Sequence, residues 1–110
     1  MFSKKDKPIL EFVLQMIDEA ERVIARHKTS YFALNDFEGR NAILLNLLQI
    51  GEKLNRIESS ELRELLPINE TYSIRNRITH DYGGIDLEIV EDILNEELPL
   101  LKQKIIDLLN

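Results

Sequence analysis

Apolar residues recur along the first part of the chain at the spacing of one helix face. Ile9, Phe12, Val13, Met16, Ile17, Ala20, Val23 and Ile24 follow i, i+3, i+4, i+7 intervals and predict a helix from Pro8 to about Lys28. Asp6 stands where it can cap that helix, and Pro8 suits its first turn. A second helix is predicted from about Asp36 to Ile57, and it carries two stripes. Ile43, Leu47, Ile50, Leu54 and Ile57 form one; Leu44, Leu45, Leu48 and Gly51 form its neighbour. At ~100° per residue these cover well over half the circumference and leave Asn46, Gln49, Lys53 and Arg56 on a narrow polar face. One stripe satisfies an intrachain core. Two imply burial against more than one neighbour, either two helices of the same bundle or a second protomer.

The remaining segments fit around those two. Ser59 or Ser60 can cap a short helix through Leu66, which Pro67 prevents from continuing. Asn69 looks like the next N-cap, opening a helix from Glu70 to about Asp81 that ends at Gly83-Gly84, where left-handed backbone is sterically cheap. Asp86 caps the last helix, whose apolar positions Leu87, Val90, Ile93, Leu94 and Leu98 continue past Pro99 as Leu101, Ile105, Leu108 and Leu109. Pro99 should kink or restart it near Glu97. The fold class expected is all-α, a small bundle of four to five helices forming a single domain over residues 1–110.

Composition narrows the setting. No apolar run approaches the roughly 18 to 20 residues that cross a bilayer, so no membrane partner is expected. The start, Met1-Phe2-Ser3-Lys4-Lys5-Asp6, lacks the apolar region of a secretory signal, which points to a soluble cytoplasmic protein. The absence of cysteine fits that address and excludes disulfides and thiolate zinc sites. A net charge of −6 argues against a broad nucleic-acid surface, since such surfaces rest on clustered Lys and Arg. Any nucleic acid must be gripped locally.

One stretch looks like chemistry. Arg75-Asn76-Arg77-Ile78-Thr79-His80-Asp81-Tyr82 gathers arginines, an amide, a histidine and a tyrosine within about two helical turns. The chain has two histidines, and the other, His27, falls in an ordinary charged helix end. On a helix Asn76 and His80 are i and i+4, so the amide can reach the imidazole and fix which ring nitrogen carries the proton. Arg75 lies about 140° around the helix from His80, yet a long guanidinium can curl toward the same cleft. Arg75 and Arg77 offer donors to a phosphate, and Tyr82 a hydroxyl beyond the helix end on a Gly-Gly hinge that would expose it. This set suits RNA cleavage by its own 2′-hydroxyl, with His80 moving the proton and Arg75 stabilising charge on the phosphorane, without metal or cofactor. The same residues admit a plain structural reading, in which His80 is a partner of the helix dipole and Arg75 a member of a surface ion pair.

Arg75-Asn76 followed by His80 and Tyr82, with Asp86 opening the next helix, resembles the R-x4-H-x-Y signature of the HEPN superfamily, specifically the HepT-type toxins. The segment from Arg40-Asn41-Ala42 through Gln49-Ile50-Gly51-Glu52-Lys53-Leu54 resembles that family's second-helix pattern, an "IGE" triplet after a run of aliphatics. Where many relatives carry a tryptophan before the motif helix, this chain offers Ile68 and Tyr72. The resemblance implies a homodimer with both motif segments facing a shared cleft, and a metal-independent RNase acting as the toxin of a two-gene module. Its implied partner is an MntA-like minimal nucleotidyltransferase antitoxin that attaches AMP to the motif tyrosine. Carried over, Arg75 and His80 are catalytic, Asn76 is a supporting polar group, Tyr82 is the modified residue and RNA is the substrate. The alternative is a partner-binding or substrate-binding subunit with the same fold and no RNase activity, which would have no need of the intact Arg75, His80 and Tyr82 set.

Overall fold

In the computed structural model, which describes residues 3–110, the first apolar stripe becomes α1 (Asp6–His27). It buries Leu10, Val13, Met16, Ile17, Ala20 and Val23, side chains whose removal from water stabilises the fold by ~1.5–3 kcal/mol for each large one. Asp6 does not cap this helix. It is the first helical residue, fully buried, and its carboxylate accepts the backbone N–H groups of Glu58 and Ser59, both at 2.9 Å. The aspartate thus ties the start of α1 to a turn far along the chain, a partnership that local spacing does not reveal.

A short helix that periodicity missed, α2 (Ser30–Leu34), follows a turn at Lys28, whose φ of 76° lies in left-handed space. Its cap is Thr29, which accepts from Phe32 N. Next, α3 (Phe37–Leu54) is capped by Asp36 and ends one turn before the predicted Ile57. It packs against α1 on one side and α5 (Ile68–His80) on the other, so two helices of its own bundle account for its second stripe. Leu48 is half-buried, and Leu45 keeps 53% of its surface exposed. Asn46, expected on the polar face, is buried instead; its amide donates to Glu19 Oε1 at 3.3 Å and approaches Met16 Sδ at 3.6 Å.

Between them, α4 (Ser60–Leu65) starts from Ser59, whose hydroxyl accepts from Leu62 N. The motif helix α5 begins at Ile68, and Asn69 lies inside it rather than at its cap. Among the described residues no side chain caps α5, and the Thr71 hydroxyl donates back to the Pro67 carbonyl at 2.9 Å within its first turn. No glycine among the described residues adopts positive φ, so the expected left-handed stop at Gly83-Gly84 does not form. The helix ends at Asp81, whose N–H donates to Arg77 O, followed by a turn in which Gly84 N donates to Asp81 O at 3.2 Å.

Asp86 caps α6 (Leu87–Asp92), a π-helical turn spans Ile93–Glu97, and α7 (Leu98–Leu109) completes the chain. The wide turn ends two residues before Pro99, which lacks an N–H and whose ring would strike the carbonyl four residues back, that of Asn95 within the turn, in a regular helix. Ser30 donates to Asn95 in that turn at 2.7 Å, and Lys102 pairs with Glu21 at 2.7 Å, fastening the C-terminal arm to α2 and α1. No strand occurs among the described residues, and none of their helices is long and apolar enough to cross a membrane.

Candidate active site

Helix α5 is held by its apolar side. Ile78 is buried, Ile74 packs against the core, and Gly51 of α3 lets the two backbones approach closely. A Cβ at Gly51 would overlap the Thr71 carbonyl and stand 2.7 Å from Arg75 Cβ. The glycine of the "IGE" triplet is therefore a docking point for the motif helix.

The glutamate of the same triplet meets the motif arginine. Glu52 Oε1 lies 2.8 Å from Arg75 Nε, and the two side chains are 31% and 24% exposed. The Nε–H is buried and is not aimed at that oxygen, so the contact is an ion pair without a formed hydrogen bond. Leaving such a buried donor off-axis costs about 1–3 kcal/mol. Arg75 Nη1 donates to Asn76 Oδ1 at 3.0 Å, and the guanidinium carbon stands 5.4 Å from the Tyr72 ring centroid.

That arrangement revises the sequence expectation for Asn76. Its amide oxygen holds Arg75, and no hydrogen bond joins it to His80 among the described residues. Arg75 and His80 point to different sides of α5, as their ~140° separation requires. The guanidinium curls toward α3, while His80 is exposed and lines a hollow of about 500 Å³ with Asn76, Arg77 and the Gly84-Ile85-Asp86 turn. Asn76 is the residue common to both: it borders the hollow and binds the arginine. No hydrogen bond or ion pair engages the His80 ring among the described residues.

Arg77 lines this hollow and also an apolar groove of about 680 Å³ between α5 and the C-terminal arm, floored by Leu47 and Ile50. Among the described residues no carboxylate pairs with it. Tyr82, 45% exposed, donates its hydroxyl proton to Asn41 Oδ1 on α3. Sequence reasoning assigned no role to Glu52 or Asn41, although both lie in the segment quoted above. The available signal was a lone carboxylate, Glu52, following the aliphatic run of α3.

His27 proves less ordinary than its position suggests. It is partly buried, with Nδ1 2.8 Å from Val23 O and Nε2 3.2 Å from Asp36 Oδ2. The Asp36 carboxyl is held below its usual range chiefly by the Gly39 N–H it accepts, with burial opposing and His27 adding to the effect. These residues join α1 to the start of α3, away from the motif. No group of three or more His, Cys, Asp or Glu side chains suited to a metal occurs among the described residues.

The family model described as "Ribonuclease HepT-like" matches residues 13–108. The chain belongs to the HepT-like ribonuclease family. The match runs through α1 to α7 and contains Gly51, Glu52 and the whole Arg75 to Tyr82 segment. A curated protein named only as a candidate RNase, from Caldanaerobacter subterraneus subsp. tengcongensis, is 28% identical over 110 residues, covering 96% of this chain and 96% of its own. No solved structure matches. Ribonuclease is the activity that HepT-like membership assigns to the chain.

Proposed function

We propose that this HepT-like ribonuclease is the toxin of a two-gene toxin–antitoxin module, acting in the cytoplasm as a homodimeric endoribonuclease with Arg75 and His80 as its catalytic residues. The observation that carries the proposal is the placement of His80: an exposed, unengaged imidazole lining a hollow with Arg77 and with Asn76, which in turn holds Arg75. His80 takes the proton of an RNA 2′-hydroxyl, whose oxygen attacks the adjacent phosphorus. The bond to the 5′-oxygen breaks, that oxygen is protonated by an imidazolium, and the products carry a 2′,3′-cyclic phosphate and a 5′-hydroxyl. Arg75 donates to the phosphorane oxygens as charge builds there, and Arg77 is a further phosphate contact. Side chains supply every step.

Two features support a homodimer. Arg75 and His80 face different sides of one helix, so a second copy across a shared cleft would complete the constellation. Phe37 and Leu45, both exposed, flank Asn41 at helical spacing on α3, leaving an apolar face beside Tyr82. Tyr82 itself is accessible enough for a nucleotidyltransferase antitoxin to attach AMP, which would place a phosphate where RNA must bind.

The test is direct. Purified protein should cut single-stranded RNA in EDTA, and His80→Ala should abolish cutting while keeping its helicity. RNA left intact by folded wild-type protein, or equal cutting by the variant, overturns the proposal, and a folded but inactive protein that still binds the nucleotidyltransferase would be the partner subunit instead.

A further inference from the structure

Arg75 is a long, four-torsion side chain, yet its guanidinium is held from three directions. Glu52 Oε1 stands 2.8 Å from Nε, Asn76 Oδ1 accepts Nη1 at 3.0 Å, and the Tyr72 ring lies 5.4 Å away. Nη2 has no partner among the described residues, which leaves one edge of the fork open. Of the three supports, Glu52 alone is charged and comes from another helix. It reaches Arg75 because its neighbour Gly51 lets α3 and α5 come together at Thr71 and Arg75.

We propose that Glu52 is a positioning residue for the ribonuclease reaction, fixing Arg75 in the orientation that presents its free edge to the scissile phosphate. The role rests on the ribonuclease reading above and adds to it. A guanidinium ordered before substrate arrives loses little further freedom in the transition state. The off-axis Nε–H fits such a role, since catalytic hydrogen bonds are often poorly aligned before substrate binds and tighten on it. The carboxylate has an opposite effect on ground-state binding. It cancels part of the attraction between Arg75 and RNA in a protein whose net charge is already −6. Glu52 therefore favours turnover at the expense of affinity, and the two effects separate experimentally.

Glu52→Gln should lower kcat on the order of 10- to 100-fold, the loss typical when a group that orients a reacting side chain is removed, while KM stays level or falls. Glu52→Asp, which keeps the charge but draws it back by one methylene, should lower kcat with KM level and guards against a folding defect in the first variant. Millimolar guanidinium should restore part of the activity of Arg75→Ala, and the rescue should vanish in Arg75→Ala/Glu52→Gln, because the carboxylate that holds the added cation is gone. A purely structural Glu52 would leave rescue unchanged. Wild-type cutting with equal kcat in both Glu52 variants, or rescue that persists in the double variant, overturns the positioning role alone. Folded wild-type protein that leaves RNA intact overturns the ribonuclease reading, and this role with it.

Discussion

The Tyr82 hydroxyl donates to Asn41 Oδ1, tying the end of the R-x4-H-x-Y segment to a helix 41 residues earlier. Both residues lie in segments that resemble the HepT pattern, and the bond gives the pairing a physical basis. Tyr82 is thereby oriented while its ring remains 45% exposed. Any group attached to its oxygen removes the proton that Asn41 accepts.

Replacing Asn41 with Ala should therefore free Tyr82 without unfolding the chain. The bond is exposed to water, so stability should fall by less than about 1 kcal/mol. Nitration by tetranitromethane, read on the Tyr82 peptide with exposed Tyr31 as internal reference, should accelerate. An unchanged ratio would mean that Asn41 does not restrain the hydroxyl.

Gly51→Ala should destabilise, although Gly to Ala inside a helix ordinarily gains about 0.5–1 kcal/mol. The added methyl would meet the Thr71 carbonyl, a backbone group that can move only if α3 and α5 separate. A loss of about 1–3 kcal/mol by urea denaturation is expected, as for overpacked sites. Increased stability would show that the helices are less closely opposed than described.

Helices α1 and α3 were legible in the sequence because each buries a periodic stripe, and α5 was placed by its flanking signals, Asn69 and Gly83-Gly84; all three fall within a few residues of their predicted bounds. Legibility stopped where a side chain's partner lies far along the chain. Asp6 reads as a local cap, yet its acceptors are used by Glu58 and Ser59; Asn46 reads as solvent-facing, yet Glu19 of α1 takes its amide. The same limit applied at the site. Spacing placed Asn76 beside His80 on α5, but the competing partner was its neighbour Arg75, drawn toward α3 by Glu52. The α2 helix is too short to show a period, and its cap at Thr29 is its main local signal.

Acid should erode the junction at His27 and Asp36. The Asp36 carboxyl titrates below its ordinary value of 3.8 in the folded protein, first because it accepts the Gly39 N–H and then through His27. A carboxyl whose folded value is depressed adds stability that is complete above the unfolded value and disappears as pH falls through the folded one. The melting-temperature gap between wild type and Asp36→Asn should thus be full at pH 7, start to shrink as pH falls past 3.8 and close only below the depressed folded value, where both chains carry a neutral cap. A gap that stays constant into that range would contradict the assignment.

The central claim, that this HepT-like chain cuts RNA through the RNA's own 2′-hydroxyl with His80 moving the proton, is tested most directly at the scissile nucleotide. Once a cleavage position has been mapped in a single-stranded RNA, the same oligonucleotide can be made with a lone 2′-deoxy sugar on the 5′ side of that bond. The account predicts that the all-RNA strand is cut in EDTA to a 2′,3′-cyclic phosphate and a 5′-hydroxyl, and that the substituted strand survives at that position. Cutting of the 2′-deoxy strand at the same bond would contradict it.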